Sequence, residues 1–268
     1  MSVQVAPGRQ DLLVSEVFSA IQGEAALVGY RQVFLRTTGC NIRCSYCDQP
    51  EALEKRPGPC RIERTAGRRD WEVRPSPLPV ADVADVVRRL WDTVPHHSVA
   101  VTGGEPLLQA GRLVGVLEAL AGRGLPVMLE TNGTLPGGLA VVAPWLTYVS
   151  MDLKLPSVDG EGVDPDVQRR FLEASVGAGL VTWAKIVLGP DTDEDELVAA
   201  VDLVAGVAGS AGPGGPDGPE VYLQPVTPFG RVLRAPTPDQ VLHLHEVALR
   251  RYGAVRVVPQ THKAIGQL

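Results

Sequence analysis

The chain has 268 residues, 25 of them basic and 31 acidic, for a net charge of -6. That balance gives no general attraction for nucleic acid or an anionic membrane, and no apolar run reaches the ~20 residues a membrane-spanning helix needs. The length suits an α/β protein with a substantial core, and Met1 to Gln10 lacks a basic-then-apolar leader, so a cytoplasmic, thiol-reducing setting is expected.

Residues 1 to 12 read as a loose lead-in, followed by a short β-like run from Val14 that closes on the polar turn Gln22-Gly23-Glu24. Tyr30 to Thr38 reads as a buried strand, with Val33, Phe34 and Leu35 at its centre and Arg36 near its end. Glu51 to Pro79 is rich in proline, glycine and charge and is expected to be a variable loop excursion holding at most one short hairpin. From Val80 the pattern becomes regular. Val83, Val86, Val87 and Leu90 set a helical period. Ser98 to Val101 is a strand that turns through Thr102-Gly103-Gly104-Glu105-Pro106 into a helix over Leu107 to Ala121. Strands follow at Leu125 to Leu129, Leu146 to Val149, Val181 to Leu188 (carrying Lys185), Val221 to Leu223 and Ala254 to Val258. Helices are expected over Asp166 to Val176, Asp195 to Val207 and from Pro238 to about Tyr252, the last opened by Thr237 and Gln240 as a capping box. Residues 209 to 219 are low in complexity and read as a flexible surface loop.

About six strand–helix alternations with connections of this length predict a parallel α/β sheet. The chain is too short for eight units of ~30 residues, so a partial (βα)6 barrel over a single domain of residues 1–268 is expected. Polar clusters fall at the C-terminal ends of successive strands, at Gly103-Gly104-Glu105, Glu130-Thr131-Asn132, Ser150 to Lys154, Gln224-Pro225 and Gln260 to Lys263. That rim is where parallel α/β folds build active sites.

Three of the four cysteines lie within eight residues, as Cys40-x3-Cys44-x2-Cys47. Their thiolates have to converge on a soft metal or an iron–sulfur cluster, since a disulfide would leave one thiol over. Three ligands on a [4Fe-4S] cluster leave one iron open to a small molecule. The competing reading recruits Cys60 as a fourth ligand to zinc, although Cys60 has no second cysteine or histidine nearby to complete a pair.

Cys40-x3-Cys44-x2-Cys47 resembles the cluster loop of the radical S-adenosylmethionine (SAM) superfamily. Thr102-Gly103-Gly104-Glu105-Pro106 resembles that superfamily's glycine-glycine-glutamate motif, which holds the cofactor's amino group. Ser19 to Glu24, Arg36 before Gly39-Cys40-Asn41, Glu130-Thr131-Asn132-Gly133, Leu223-Gln224-Pro225 and Pro259 to Lys263 are similar to the 7-carboxy-7-deazaguanine synthase family, in order from Ser15 to about Lys263.

The resemblance implies a homodimer with a truncated barrel, a [4Fe-4S] cluster on Cys40, Cys44 and Cys47, and an electron from a flavodoxin- or ferredoxin-type donor. The expected reaction is ring contraction of 6-carboxy-5,6,7,8-tetrahydropterin to 7-carboxy-7-deazaguanine with loss of ammonia, started by a 5′-deoxyadenosyl radical, on the route to queuosine. Gly103, Gly104, Glu105, Glu130, Asn132, Ser150, Lys154 and Gln224 are the expected cofactor contacts. Ile21, Gln22, Gly23, Glu24, Arg36, Thr102, His262 and Lys263 are the expected substrate contacts, with Arg36 offering donors to the pterin carboxylate. Where the family has a hydroxyl residue ligating magnesium after Cys-Asp, this chain has Gln49, whose amide oxygen is a candidate ligand for the ion. The alternatives are a radical-generating activase of a glycyl radical enzyme and a non-catalytic iron–sulfur or zinc module.

Overall fold

The computed structural model describes residues 11–55, 58–160, 162–209 and 218–267, so most of the expected lead-in and of the 209–219 loop lies outside the described residues. In chain order the elements are β1 (Asp11–Leu12), β2 (Val14–Ile21), β3 (Arg31–Thr37), β4 (Pro59–Glu63), β5 (Trp71–Pro75), β6 (Leu78–Pro79), α1 (Val80–Trp91), β7 (Ser98–Gly103), α2 (Ala110–Ala121), β8 (Val127–Thr131), α3 (Pro136–Val142) and β9 (Tyr148–Leu153). They continue with α4 (Pro156–Asp159), α5 (Pro165–Gly177), β10 (Val181–Leu188), α6 (Glu194–Ala208), β11 (Glu220–Pro225), α7 (Pro238–Leu249), β12 (Val255–Val257) and α8 (Thr261–Ala264).

Ten strands form one sheet in the order β12-β11-β10-β9-β8-β7-β3-β2-β4-β5. From β3 to β12 every neighbouring pair is parallel, and each of the six crossovers carries at least one helix. This is a (βα)6 arrangement finished by the short β12. The sheet stays open, since β12 and β5 are its two edges. Among the described residues no helix is long and apolar enough to cross a membrane.

Two-residue periodicity decides which side chains meet. Val33 and Leu35, Val99 and Val101, Val127 and Leu129, Val149 and Met151, and Ala184 and Ile186 face the helical layer and merge with Val83, Val87 and Leu90 of α1 into the main core. Phe34, Ala100, Met128, Trp183 and Tyr222 point the other way into the concave interior, where Phe18 and Phe34 stack at 5.1 Å. The helices start where their caps allow. Thr237 and Gln240 form the expected capping box of α7, and Asp193 accepts from the Glu196 amide at the start of α6, whose first turn is acidic.

The excursion at 51–79 is more ordered than its composition suggests. It holds the antiparallel β4–β5 hairpin, and β4 joins the main sheet by pairing parallel to β2. Cys60 therefore does not sit on a loop. It is a fully buried member of the core on β4, where the side chains at alternate positions supply the apolar face that its proline- and arginine-rich neighbours mask in sequence. Helix α3 also escapes the pattern, because Pro136-Gly137-Gly138 reads locally as a turn and only Leu139 and Val142 bury against the core.

Candidate active site

Moving two residues further along each inward-facing strand position changes its chemistry. Phe34 gives way to Arg36, Ala100 to Thr102, Met128 to Glu130, Ser150 to Asp152, Trp183 to Lys185 and Tyr222 to Gln224. All six of the second set line one cavity at the C-terminal rim, and Cys40, Cys44 and Cys47 line it too. The cavity encloses about 1280 Å3 of atom-free space, solvent at its open mouth included.

The cysteine loop is clamped from several sides. The Gly39 and Cys40 amides donate to the Ala52 and Leu53 carbonyls, the Ser45 amide donates to the Asp159 carbonyl, and the Glu105 amide donates to the Gly39 carbonyl at 2.7 Å. A Cβ on Gly104 would lie 2.3 Å from the Gly39 oxygen and 2.7 Å from that of Ala52. Gly103 has φ +140, and a Cβ there would lie 2.2 Å from the Thr37 oxygen. The glycine pair thus lets the cysteine loop lie directly against the end of β7.

Burial raises the thiols of Cys44 and Cys47, opposed at Cys44 by Lys154 and at Cys47 by the Gln49 amide. A metal bound as thiolate would reverse that trend. No group of three His, Cys, Asp or Glu among the described residues could hold a single metal ion, while Cys40, Cys44 and Cys47 all line one cavity, as the ligands of a shared cluster must. Cys60 is outside this group, its thiol pushed up to about 12 by burial. The donor set fits a cubane with one open iron and does not form the four-cysteine zinc site.

Glu105 does not line the cavity. It is fully buried, and its carboxylate accepts from the Leu107 amide, the Thr131 hydroxyl and the Asn132 amide at 2.8–3.0 Å, which ties the turn after β7 to the end of β8. Burial still pushes this carboxyl up to about 7. Ser150 is one inward step too deep: its Oγ accepts from Trp183 Nε1 at 2.9 Å in the aromatic layer below. Lys263 stands at the mouth with its ammonium 2.9 Å from Asp48.

The other expected residues reach the cavity. Gln22 donates to Glu130 at 2.8 Å, and the Thr102 hydroxyl donates to the other Glu130 oxygen at 2.7 Å. Burial raises the Glu130 carboxyl, with Lys185 opposing. Asn132 donates to Asn41 and approaches Cys40 Sγ at 3.9 Å. Arg36 gives its Nε to Glu16 at 3.3 Å, and among the described residues its two terminal nitrogens have no hydrogen-bond partner. His262 packs over Gly23, where a Cβ would be 2.1 Å from Nδ1, and burial lowers its pKa. Ile21, Gly23 and Gln49 also line the cavity. Gln224 is buried there with its Oε1 unpartnered among the described residues, an acceptor open to a ligand's N–H.

Lys185, Asp152, Tyr46 and Asp48 also line the cavity, although none is among the expected contacts. Lys185 pairs with Glu24 and, at 3.0 Å, with Asp152, while the other Asp152 oxygen takes Lys154 at 2.8 Å. Lys154 also donates to the Tyr46 hydroxyl at 3.2 Å. Asp48 holds Lys263 and receives Gln260. For Lys185 the signal is parity, since it lies two residues after the inward Trp183 in an otherwise apolar strand.

An open parallel α/β barrel with a three-cysteine loop on its catalytic rim defines the radical SAM class, and residues 34–204 match the family model described as the Radical SAM superfamily. The 7-carboxy-7-deazaguanine synthase of Geobacter sulfurreducens is 41% identical over 258 residues, covering 95% of this chain and 97% of its own length. The enzyme of the same name from Methanopyrus kandleri is 37% identical, covering 95% of this chain and 93% of itself. Among solved structures, QueE from Escherichia coli matches the fold with a TM-score of 0.58 at 20% identity, covering 94% of this chain and 95% of that one. The chain belongs to the radical SAM superfamily and, within it, to the 7-carboxy-7-deazaguanine synthase family.

Proposed function

We propose that this enzyme converts 6-carboxy-5,6,7,8-tetrahydropterin to 7-carboxy-7-deazaguanine with release of ammonia. The observation that carries the reading is the convergence of six inward side chains, one from each of six neighbouring parallel strands, on the cavity that the three cysteines line. A [4Fe-4S] cluster together with SAM would supply the one-electron, hydrogen-abstracting chemistry that the ring contraction needs.

Cys40, Cys44 and Cys47 would hold the cluster, and Asn132, Lys154 and Gln224 offer polar groups to the cofactor beside it. The pterin would lie between the turn at Gln22 to Glu24 and the segment at Gln260 to His262, both of which line the same cavity. Arg36 points its terminal amines at the substrate carboxylate. His262, its pKa lowered by burial, serves as an uncharged ring donor or acceptor, and Lys263 acts through Asp48. Glu24 and Gln22 read the donor-rich edge of the pterin. Gln49 is the candidate magnesium ligand in this chain. The assignment also takes the chain as one cytoplasmic domain acting as a homodimer and drawing electrons from a flavodoxin- or ferredoxin-type protein.

Anaerobic incubation of cluster-loaded protein with SAM, reductant and the tetrahydropterin should give 7-carboxy-7-deazaguanine by mass spectrometry, faster with magnesium present. Cofactor cleavage that leaves the pterin unchanged while activating an added glycyl radical enzyme would favour the activase reading instead.

A further inference from the structure

Strand parity turns Lys185 inward from a mostly apolar strand, its side chain is only 11% exposed, and an ammonium so nearly buried is tolerated only when it is paired. Two carboxylates pair it, Glu24 and, at 3.0 Å, Asp152. Asp152 is already served by Lys154 at 2.8 Å, whereas no other cation is paired with Glu24 among the described residues. Glu24 receives only donors, with Lys185 on one oxygen and Gln260 Nε2 at 2.9 Å on the other. Each oxygen thus retains acceptor capacity beyond its one donor, and Glu24 lines the cavity.

The surroundings of Glu24 are otherwise unfavourable to a negative charge. Glu130 faces this group from β8, Asp152 from β9 and Asp48 from the cysteine loop, while His262 stands on the C-terminal segment. Burial alone would raise the Glu24 carboxyl, and Lys185, followed by Gln260, reverses the direction so that it lies below the ordinary value. The aminopyrimidinone edge of a pterin presents a ring N–H and an exocyclic N–H side by side. An ionised carboxylate accepts both, whereas a protonated one sets O–H against N–H.

We propose that Lys185 is a positioning residue for substrate recognition, pairing with Glu24 and aiming it so that it accepts the paired N–H donors of the pterin. The inference rests on the reading of Glu24 as a pterin contact. Lys185 thereby makes the site selective for ligands with two adjacent donors, and an analogue lacking the 2-amino group should bind more weakly.

The test is anaerobic titration of cluster-loaded, SAM-bound protein with 6-carboxy-5,6,7,8-tetrahydropterin, for the wild type and for Glu24→Gln, Lys185→Gln, Lys185→Arg and the double variant Glu24→Gln/Lys185→Gln. Iron content and unfolding midpoint serve as folding controls. Glu24→Gln and Lys185→Gln should each weaken binding roughly tenfold or more, as expected for losing hydrogen bonds to a charged group. The double variant should bind no worse than Glu24→Gln, and Lys185→Arg should recover most of the affinity. Affinity of Lys185→Gln should climb with rising pH as Glu24 ionises, while the wild type stays level. Wild-type affinity in Lys185→Gln, a pH-independent loss, or a further loss in the double variant would overturn the role of Lys185 and leave that of Glu24 standing. If Lys185→Gln does not fold, the comparison of the double variant with Glu24→Gln still decides. Wild-type affinity in Glu24→Gln would overturn both.

Discussion

Asp48, the residue directly after the last cysteine of the cluster loop, holds the ammonium of Lys263 at 2.9 Å, although 215 positions separate them in sequence. The pair joins the cysteine loop to the C-terminal segment, which is also tied to the β2–β3 turn through the Thr261 amide and the Gly23 carbonyl at 2.9 Å. The side chains of Asp48 and Lys263 are 30% and 28% exposed, so solvent screens the pair and its share of stability is at most about 1 kcal/mol. Lys263→Met should therefore leave the melting temperature nearly unchanged. It should raise KM for the pterin several-fold, because the segment carrying Gln260 and His262 loses its anchor at the mouth; steady-state kinetics beside a thermal melt checks both.

The cysteines should separate cleanly into two groups. Replacing Cys40, Cys44 or Cys47 by Ala should abolish stable cluster binding and turnover. Cys60→Ser puts a hydroxyl into an apolar core site and should cost about 1–3 kcal/mol of stability while iron content stays at the wild-type level. Iron analysis and denaturant unfolding of the same preparations distinguish the two outcomes.

Gly104→Ala tests the close approach of the cysteine loop. A Cβ there meets two backbone oxygens, Gly39 at 2.3 Å and Ala52 at 2.7 Å, and neither has a flexible side chain to give way. The variant should keep its helical content by circular dichroism and lose most of its capacity to be reconstituted with iron.

Glu105 predicts a pH dependence of stability. Burial pushes its carboxyl up to about 7 from an unfolded value near 4.5, so between those limits the folded chain binds more protons than the unfolded one. The contribution is fully present below about 4.5 and is lost as pH rises through about 7. Glu105→Gln should flatten the slope in this window. It should also cost about 1–3 kcal/mol overall, because its amide cannot accept all three donors that the carboxylate now holds. Denaturant unfolding of the two proteins from pH 4 to 8 gives the difference directly.

How much of this was legible beforehand depended on whether local pattern or long-range pairing decides a feature. The cysteine loop, the glycine pair and the boundaries of β10 are local and match the residues that sequence periodicity marks. Ser150 and Asp152 show the limit. Both point inward, and only the sheet's depth settles that Asp152 reaches the cavity while Ser150 stops beneath Trp183. Glu105 follows the glycines yet turns into the protein, because Thr131 and Asn132 on the neighbouring strand end supply donors that its own segment lacks. The short hairpin allowed for within residues 51–79 forms as β4–β5, but its place in the main sheet comes from pairing with β2, some 45 residues earlier, and not from its own proline-rich composition.

Cys40, Cys44 and Cys47 at the rim are proposed to hold an iron–sulfur cube whose fourth corner faces the cavity. The most direct measurement is electron paramagnetic resonance of the reduced, anaerobically reconstituted protein before and after adding SAM. The expected result is a [4Fe-4S] signal that shifts on addition of SAM and is the same in Cys60→Ser. A cluster signal indifferent to SAM, or X-ray absorption showing a single zinc in four-sulfur coordination, would contradict it.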